Sequence, residues 1–323
     1  MPSASSRSEE SAEPAAPGAL TPTLRRFNRT YTQRIGVLDD SYLGTGRPLN
    51  VSRLLFEIGS SRAGAGGGPT VRDLRERLDL DSGYLARLIG RLRDDGLVEL
   101  HTDPLDRRRR LVRLTAAGRS ARAELDARSE ELADRLVGSL TPRQRSRLEH
   151  ALAEADLLVR AATVHLREVS PDDDAARGAL ARYAAELDDR FPGGFDLGTG
   201  REELGARYVV ATSDGEAVAY GGFRPVTLPD GGAAEIKRMW VDTGWRGAGL
   251  GARMLRHLER LAAADGFGRV VLDTNGTLTE AVALYERAGY RRVARYNDNP
   301  YAQLFFEKDL ATSSGLDAAR GTA

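Results

Sequence analysis

The run AEIKRMWVDTGWRGAGLGARMLRHLERL, residues 234–261, places a strand, a glycine-rich turn and an amphipathic helix in immediate succession. The strand ends at Val241, and after DTGW the glycines at 247, 249 and 251 open the helix. Such glycines let a ligand approach the backbone, and the first amides of a helix have no partners of their own. With the helix dipole behind them, those amides attract an anion, phosphate or pyrophosphate above all. As a pattern, GAGLGA also satisfies the dinucleotide fingerprint G-x-G-x-x-G/A, with Asp273 ending a strand 26 residues beyond Gly247. Five residues separate Val241 from Gly247, however, too many for the tight turn of a dinucleotide-binding unit, and too few strands follow to build its sheet.

Outward from this run the pattern alternates. Helices are expected at 175–190, 249–265 and 279–288, and strands at 207–212, 217–223, 234–241, 269–273, 291–296 and 302–308, which is a mixed α/β domain. Upstream, residues 20–165 carry apolar residues mostly at helical spacing, with one strand-like excursion around Leu97 to Leu114. The segment EVSPDDD, 168–174, joins a proline to an acidic run and suits a solvated connection between two domains, as a length of 323 residues also suggests. Residues 1–18 and 311–323 have almost nothing to bury and read as disordered tails.

Within the α/β half, Arg246-x-x-Gly249-x-Gly251 and, farther on, ALYERAGY at 283–290 resemble the cofactor loop and the later helix of the GNAT superfamily of N-acetyltransferases. Asn275, after the strand VVLDT, falls where those enzymes often carry an amide. The resemblance covers about 175–309 and implies acetyl-CoA as cosubstrate. Its pyrophosphate would lie on the amides of Arg246, Gly247, Ala248, Gly249, Leu250, Gly251 and Ala252. Its pantetheine arm would run along Met239, Trp240 and Val241, in a gap splayed between two parallel strands of a mostly antiparallel sheet. Tyr285 stands at the superfamily's usual position for the acid that meets the departing thiolate; the competing reading is a core aromatic. Glu235, on the strand before the loop, is the candidate base, with a surface carboxylate as the alternative. Lys237 and Arg238 read as a charged strand face or phosphate contacts. The acceptor pocket is expected from 188–196 and 296–302, whose aromatics, Asn and Asp suit a small polar amine and equally a lysine side chain.

The upstream half contains TVRDLRERLDLDSGYLARLIGRLRDDGLVEL, 70–100, two amphipathic helices joined by a turn at Leu78 to Ser82. Leu85, Leu88, Ile89 and Leu92 form the inward face of the second helix, leaving Ser82, Tyr84, Arg87 and Arg91 outward, with Asp81 or Ser82 as N-cap. Four consecutive arginines, Arg107 to Arg110, then occupy the tip of a hairpin, where like charges repel unless an anion neutralises them. GLVELHTDPLDRRRRLVRLTAAG, 96–118, resembles the winged helix of the MarR (multiple-antibiotic-resistance regulator) family in its Asp-Arg wing and closing LTxxG. That resemblance covers 20–165, with flanking helices at about 20–42 and a long pair from Thr115 to Val164 broken at Thr141-Pro142. It implies a homodimer on double-stranded DNA with a pseudo-palindromic operator, the helix at 82–94 in the major groove and Arg107, Arg108, Arg109 and Arg110 on phosphates or in the minor groove. Asp106 would hold the wing's shape. Residues 70–113 carry 11 Arg against 9 acidic residues, so a winged helix that serves only dimerisation stays open.

Composition narrows the rest. The chain has no cysteine, which excludes disulfides, thiolate metal sites and a cysteine nucleophile, and its four scattered histidines match no metal-ligand spacing. The neutral total hides an asymmetry: residues 1–165 hold 27 Arg against 23 acidic residues, so +4, and the remainder is −4. No apolar run approaches a membrane span and no signal peptide opens the chain, so a cytoplasmic location is expected. The reading is a mainly α winged helix-turn-helix domain followed by an α/β GNAT domain, an N-acetyltransferase for a small amine or amino-acid-like acceptor joined to a transcriptional regulator. The alternatives are a regulator whose second domain only senses acetyl-CoA, and an enzyme whose first domain only dimerises it.

Overall fold

The computed structural model describes residues 17–37, 39–60, 68–104, 106–197, 205–213 and 216–310. The expected tails lie outside the described residues, except Pro17 and Gly18, which open the first helix. The chain divides into two units, Met1–Ser146 and Arg147–Ala323.

The first unit is helical with one hairpin. Helices α1 (Pro17–Arg34), α2 (Leu49–Ser60), α3 (Val71–Leu78) and α4 (Ser82–Asp94) precede strands β1 (Val98–Thr102) and β2 (Arg110–Leu114), and α5 (Ala116–Val137) follows. Thr70 and Asp73 form a reciprocal capping box at the start of α3. Asp79 closes that helix in the left-handed region, φ 50°. Of the two candidate caps for α4 it is Asp81 that accepts from the Tyr84 amide, at 2.9 Å. The core is Val51, Leu54, Leu55 and Ile58 of α2 against Leu74, the inward face of α4, and Leu97, Val98 and Val112 of the hairpin. The helix expected over 20–42 ends at Arg34.

The division falls inside α6 (Pro142–Thr163), which begins after the break expected at Thr141-Pro142. The second unit then adds β3 (His165–Val169), α7 (Asp174–Arg190), β4 (Arg207–Ser213), β5 (Glu216–Leu228), β6 (Gly231–Val241), α8 (Leu250–Ala264), β7 (Arg269–Thr274), α9 (Thr279–Arg287), β8 (Arg291–Arg292) and β9 (Leu304–Asp309). Its seven strands lie in the order β3-β4-β5-β6-β7-β9-β8, every neighbouring pair antiparallel except β6 with β7. Side chains alternate across the sheet, so Val209 and Ala211 pack with α8 residues while Val210 packs with α7, placing the two helices on opposite faces.

Several element boundaries differ from expectation. His165–Val169 is an edge strand of the second unit's sheet, paired with β4. Only Leu166 and Val169 of these five residues pack inward, and the charges of Arg167 and Glu168 are matched by Asp173 and Arg207, as an edge strand permits. The connection expected at 168–174 is correspondingly shorter. The strand expected over 291–296 pairs only at Arg291–Arg292.

The LTxxG motif has a steric cause. Thr115 caps α5 by accepting from the Gly118 amide at 3.0 Å, which presses Gly118 against the hairpin; a β-carbon there would stand 1.9 Å from the Leu97 carbonyl oxygen. Gly118→Ala should therefore destabilise the first unit by about 2–3 kcal/mol, since overpacking of a fixed backbone has costs of that order. Denaturant unfolding of the full chain checks this, with the second unit's transition expected to stay in place.

Candidate active site and nucleic-acid interface

Strand β6 carries one more residue than β5 opposite it: Tyr220 pairs with Trp240 but Gly222 pairs with Lys237. The excess is absorbed at Arg238, whose φ of 57° lies in the left-handed region. The parallel pairing of β6 with β7 ends at Ile236 and Leu272. Beyond it, Met239, Trp240 and Val241 line a cavity of about 780 Å³ together with Arg246, Gly247, Gly249, Leu250, Gly251 and Ala252.

The glycine loop turns through Gly247, φ 84°, and Gly249, φ 76°, and Gly249 caps α8 without a side chain. Among the described residues, no backbone acceptor is found for the amides of 247–252. They form an open donor set at the positive end of α8. The side chain of Ala248 packs into the core instead of the cavity. Arg246 ties the loop to β6: its Nε donates to the Val241 carbonyl at 3.0 Å and its terminal nitrogen to both Glu186 oxygens at 2.6 Å. Glu186 also accepts from Trp240 Nε1 at 3.1 Å and from Arg190 at 3.3 Å. Burial raises the Glu186 carboxyl, but Arg246, Arg190 and Trp240 more than offset it and hold it below the ordinary carboxylate range. Arg256 and Arg287, which sequence patterns did not single out, face the same cavity with no carboxylate at ion-pair distance among the described residues.

A second cavity, about 490 Å³, shares Tyr183, Leu187, Met239, Leu278, Ala281 and Tyr285 with the first. Both expected acceptor segments line it, through Phe191, Phe195 and Asp196 and through Asn299, Pro300, Tyr301 and Ala302. Tyr285 of α9 is 5% exposed and stands on the wall between the cavities. Burial first, then the nearby Tyr183 and Asp273, hold its phenol well above the ordinary value, so it stays protonated.

Glu235 and Asn275 are placed differently from the expectation. Glu235 is 0% exposed and sits behind the wall of the smaller cavity, not on it. Arg224 Nε meets one of its oxygens at 2.6 Å, while Lys237, Asn297 Nδ2 and the Tyr296 hydroxyl meet the other at 3.2, 2.9 and 3.2 Å. A carboxylate so engaged is a structural anion and does not reach an acceptor. Two carboxylates line the cavity: Asp196, and Asp273, which is bonded to Lys237 at 2.9 Å. Asn275 lines the smaller cavity, where its Nδ2 donates to the Tyr301 carbonyl at 2.8 Å and its Oδ1 accepts from Thr277. It shapes the loop between the cavities and stands apart from the amides of 247–252.

In the first unit, Ser82, Arg87 and Arg91 are exposed on α4, with Arg87 over the Tyr84 ring at 5.6 Å. The Tyr84 hydroxyl is engaged by Asn50 Nδ2 of α2. At the hairpin tip Asp106 accepts from the Arg108 amide at 3.0 Å and lies 3.5 Å from Arg109 Nε. Arg110 donates to Thr102 at 2.8 Å, which leaves Arg107 and Arg108 as exposed cations without a partner among the described residues.

A profile of the Acetyltransferase (GNAT) family matches residues 158–290, and one of the MarR family matches 45–109. The "IAA acetyltransferase" of Azospirillum brasilense is 30% identical over 154 residues, 46% of this chain and 98% of that protein. The chain belongs to the GNAT family. Its N-terminal unit is a MarR-family winged helix. The "Uncharacterized N-acetyltransferase YjgM" of Escherichia coli is 34% identical over 89 residues, and the match spans 28% of this chain and about half, 53%, of that relative. The ligand-free crystal structure of MarR from E. coli aligns with 41% of this chain and 94% of its own at 23% identity, TM-score 0.35. No described helix is long and apolar enough to cross a membrane.

The Glu186 clamp has a pH signature. A carboxyl held below its ordinary 4.5 stabilises the GNAT unit fully above that value, and the contribution disappears as pH falls through the folded value. Glu186→Gln should flatten the acid limb of stability, with melting temperatures of variant and wild type converging between about pH 5 and pH 3. Thermal melts across that range provide the check.

Proposed function

We propose that the GNAT unit transfers an acetyl group from acetyl-CoA to the amine of a small, amino-acid-like acceptor. The observation that carries this reading is the meeting of two cavities at Tyr285 and Tyr183, one ending on the open amides of α8 and the other walled by aromatic and polar side chains. The pyrophosphate takes the amides of 247–252, with Arg256 and Arg287 available to its remaining phosphate charge. The pantetheine arm lies along Met239 to Val241, where the β6 edge has no strand neighbour.

The acceptor reaches the shared wall from the smaller cavity. Its unprotonated nitrogen attacks the thioester carbonyl carbon, the C–N bond forms, and the C–S bond breaks as the tetrahedral intermediate collapses. The departing sulfur takes the Tyr285 proton, and the surplus proton on nitrogen passes to water in that cavity, with Asp273 on its wall as the anion in place of Glu235. Glu235 acts through Lys237, which it helps to hold. A protonated buried phenol donates to a thiolate, which a ligand sensor does not require.

The MarR unit is proposed to bind DNA as a dimer. Arg107 and Arg108 support the first part. The second is supported by α1, where Leu20, Leu24, Phe27 and Tyr31 recur at helical spacing and are 67%, 52%, 50% and 47% exposed, an apolar stripe that a second copy would cover.

Tyr285→Phe should lower kcat for thiol release by about 100-fold while leaving calorimetric acetyl-CoA binding in place. Turnover at the wild-type rate would remove the acid, and tight acetyl-CoA binding without turnover on any amine would leave the unit a sensor. For the winged helix, Arg107→Ala and Arg108→Ala should each reduce the slope of log affinity against log salt by about 1 on operator DNA selected in vitro. An unchanged slope in fluorescence anisotropy would mean that the wing does not touch phosphate.

A further inference from the structure

Among the described residues, the charges around the smaller cavity have partners, with one exception. Lys237 is held by Asp273 at 2.9 Å and Glu235 at 3.2 Å, and Arg224 by Glu235 at 2.6 Å. Asp273 takes further hydrogen bonds from Asn297 at 2.6 Å and Asn299 at 3.2 Å. Arg238 lines the same cavity, is half-buried, and has no carboxylate at ion-pair distance among the described residues. Its neighbours are phenols: burial pushes Tyr220 up to about 12 and Tyr183 higher still, and the Arg238 charge partly offsets both rises. A half-buried guanidinium in the left-handed region, with no counter-anion at hand among the described residues, is a ready partner for an anionic ligand.

That anion is not the phosphate of the cosubstrate, because the phosphate-seeking amides and Arg256 lie along the other cavity and Arg238 is absent from its wall. The planar fork of Arg suits a carboxylate. Close by, Tyr301 stacks at 5.9 Å from Phe191 and lies 4.9 Å from Phe195, an apolar wall for the body of the acceptor. Arg238 immediately precedes Met239, a residue of the wall at which transfer occurs, so only a short chain separates the bound carboxylate from the reacting nitrogen. Building on the acyltransferase reading above, we propose that the acceptor is an amino acid with an apolar or aromatic side chain, and that Arg238 selects it by binding its carboxylate.

The test is thiol release from acetyl-CoA with phenylalanine, tryptophan and leucine, each paired with the amine that lacks the carboxylate: phenethylamine, tryptamine and 3-methylbutylamine. At least one amino acid should exceed its decarboxylated partner by about 100-fold in kcat/KM, the size expected when one member of a buried charge pair is removed. Arg238→Asn, chosen because Asn tolerates the left-handed region, should reduce that ratio to about 3 or less. The change should appear as a raised KM for the amino acid, with the KM for acetyl-CoA unchanged. Equal use of both partners by the wild type overturns the carboxylate proposal and leaves the acyltransferase standing, as does a ratio that survives in Arg238→Asn. Absence of thiol release with every amine, with acetyl-CoA still bound, overturns the acyltransferase reading and this proposal with it.

Discussion

One surplus residue in β6 sets the geometry of the GNAT unit. A regular strand would keep pairing with β7 to its end, and a continuous sheet has no room for a ligand between two strands. With the bulge at Arg238, pairing stops at Ile236 and the last residues of β6 present an unpaired edge to the larger cavity. The same bulge turns Arg238 toward the smaller cavity and leaves Met239 on the wall common to both. The two cavities and their shared wall thus follow from one local irregularity.

Around it, charge is arranged so that the binding groups stay available. Glu186 fixes Arg246 and Trp240 and thereby holds the end of β6 to the loop, while the loop's own amides find no backbone acceptor among the described residues. On the other side, Glu235 and Asp273 share Lys237, so Arg238 of the smaller cavity has no carboxylate beside it among the described residues. The helix behind the loop is anchored as well: Arg253 of α8 donates to the carbonyls of Ala161 and Val164 at 2.9 and 2.6 Å, and Arg160 stacks on Trp245 at 4.6 Å. These bonds satisfy carbonyls at the end of α6 and give α8 a rigid seat.

In the MarR unit a comparable economy appears at the wing. Asp106 folds the tip through the Arg108 amide and tempers Arg109, and Arg110 is tied to Thr102. Only part of the four-arginine run is left to attract an anion, which explains how a domain with nearly balanced charge still presents a localised positive point.

The two units, the winged helix and the glycine loop were legible in the sequence, because each rests on local signals: apolar periodicity, caps, and glycines whose conformation is written at their own positions. The segments lining the smaller cavity were legible as aromatic and amide-rich stretches, and Tyr285 was singled out by resemblance alone. The edge strand β3 was not, because two inward residues among five leave no periodicity to read. Only the tertiary structure shows that Glu235 is engaged by Arg224 and Lys237, that Asn275 braces a loop, and that Glu186, Arg256 and Arg238 line the two cavities. Whether a charged side chain is matched or free depends on partners far away in the chain, 60 residues in the case of Glu186 and Arg246, and no local pattern records that distance.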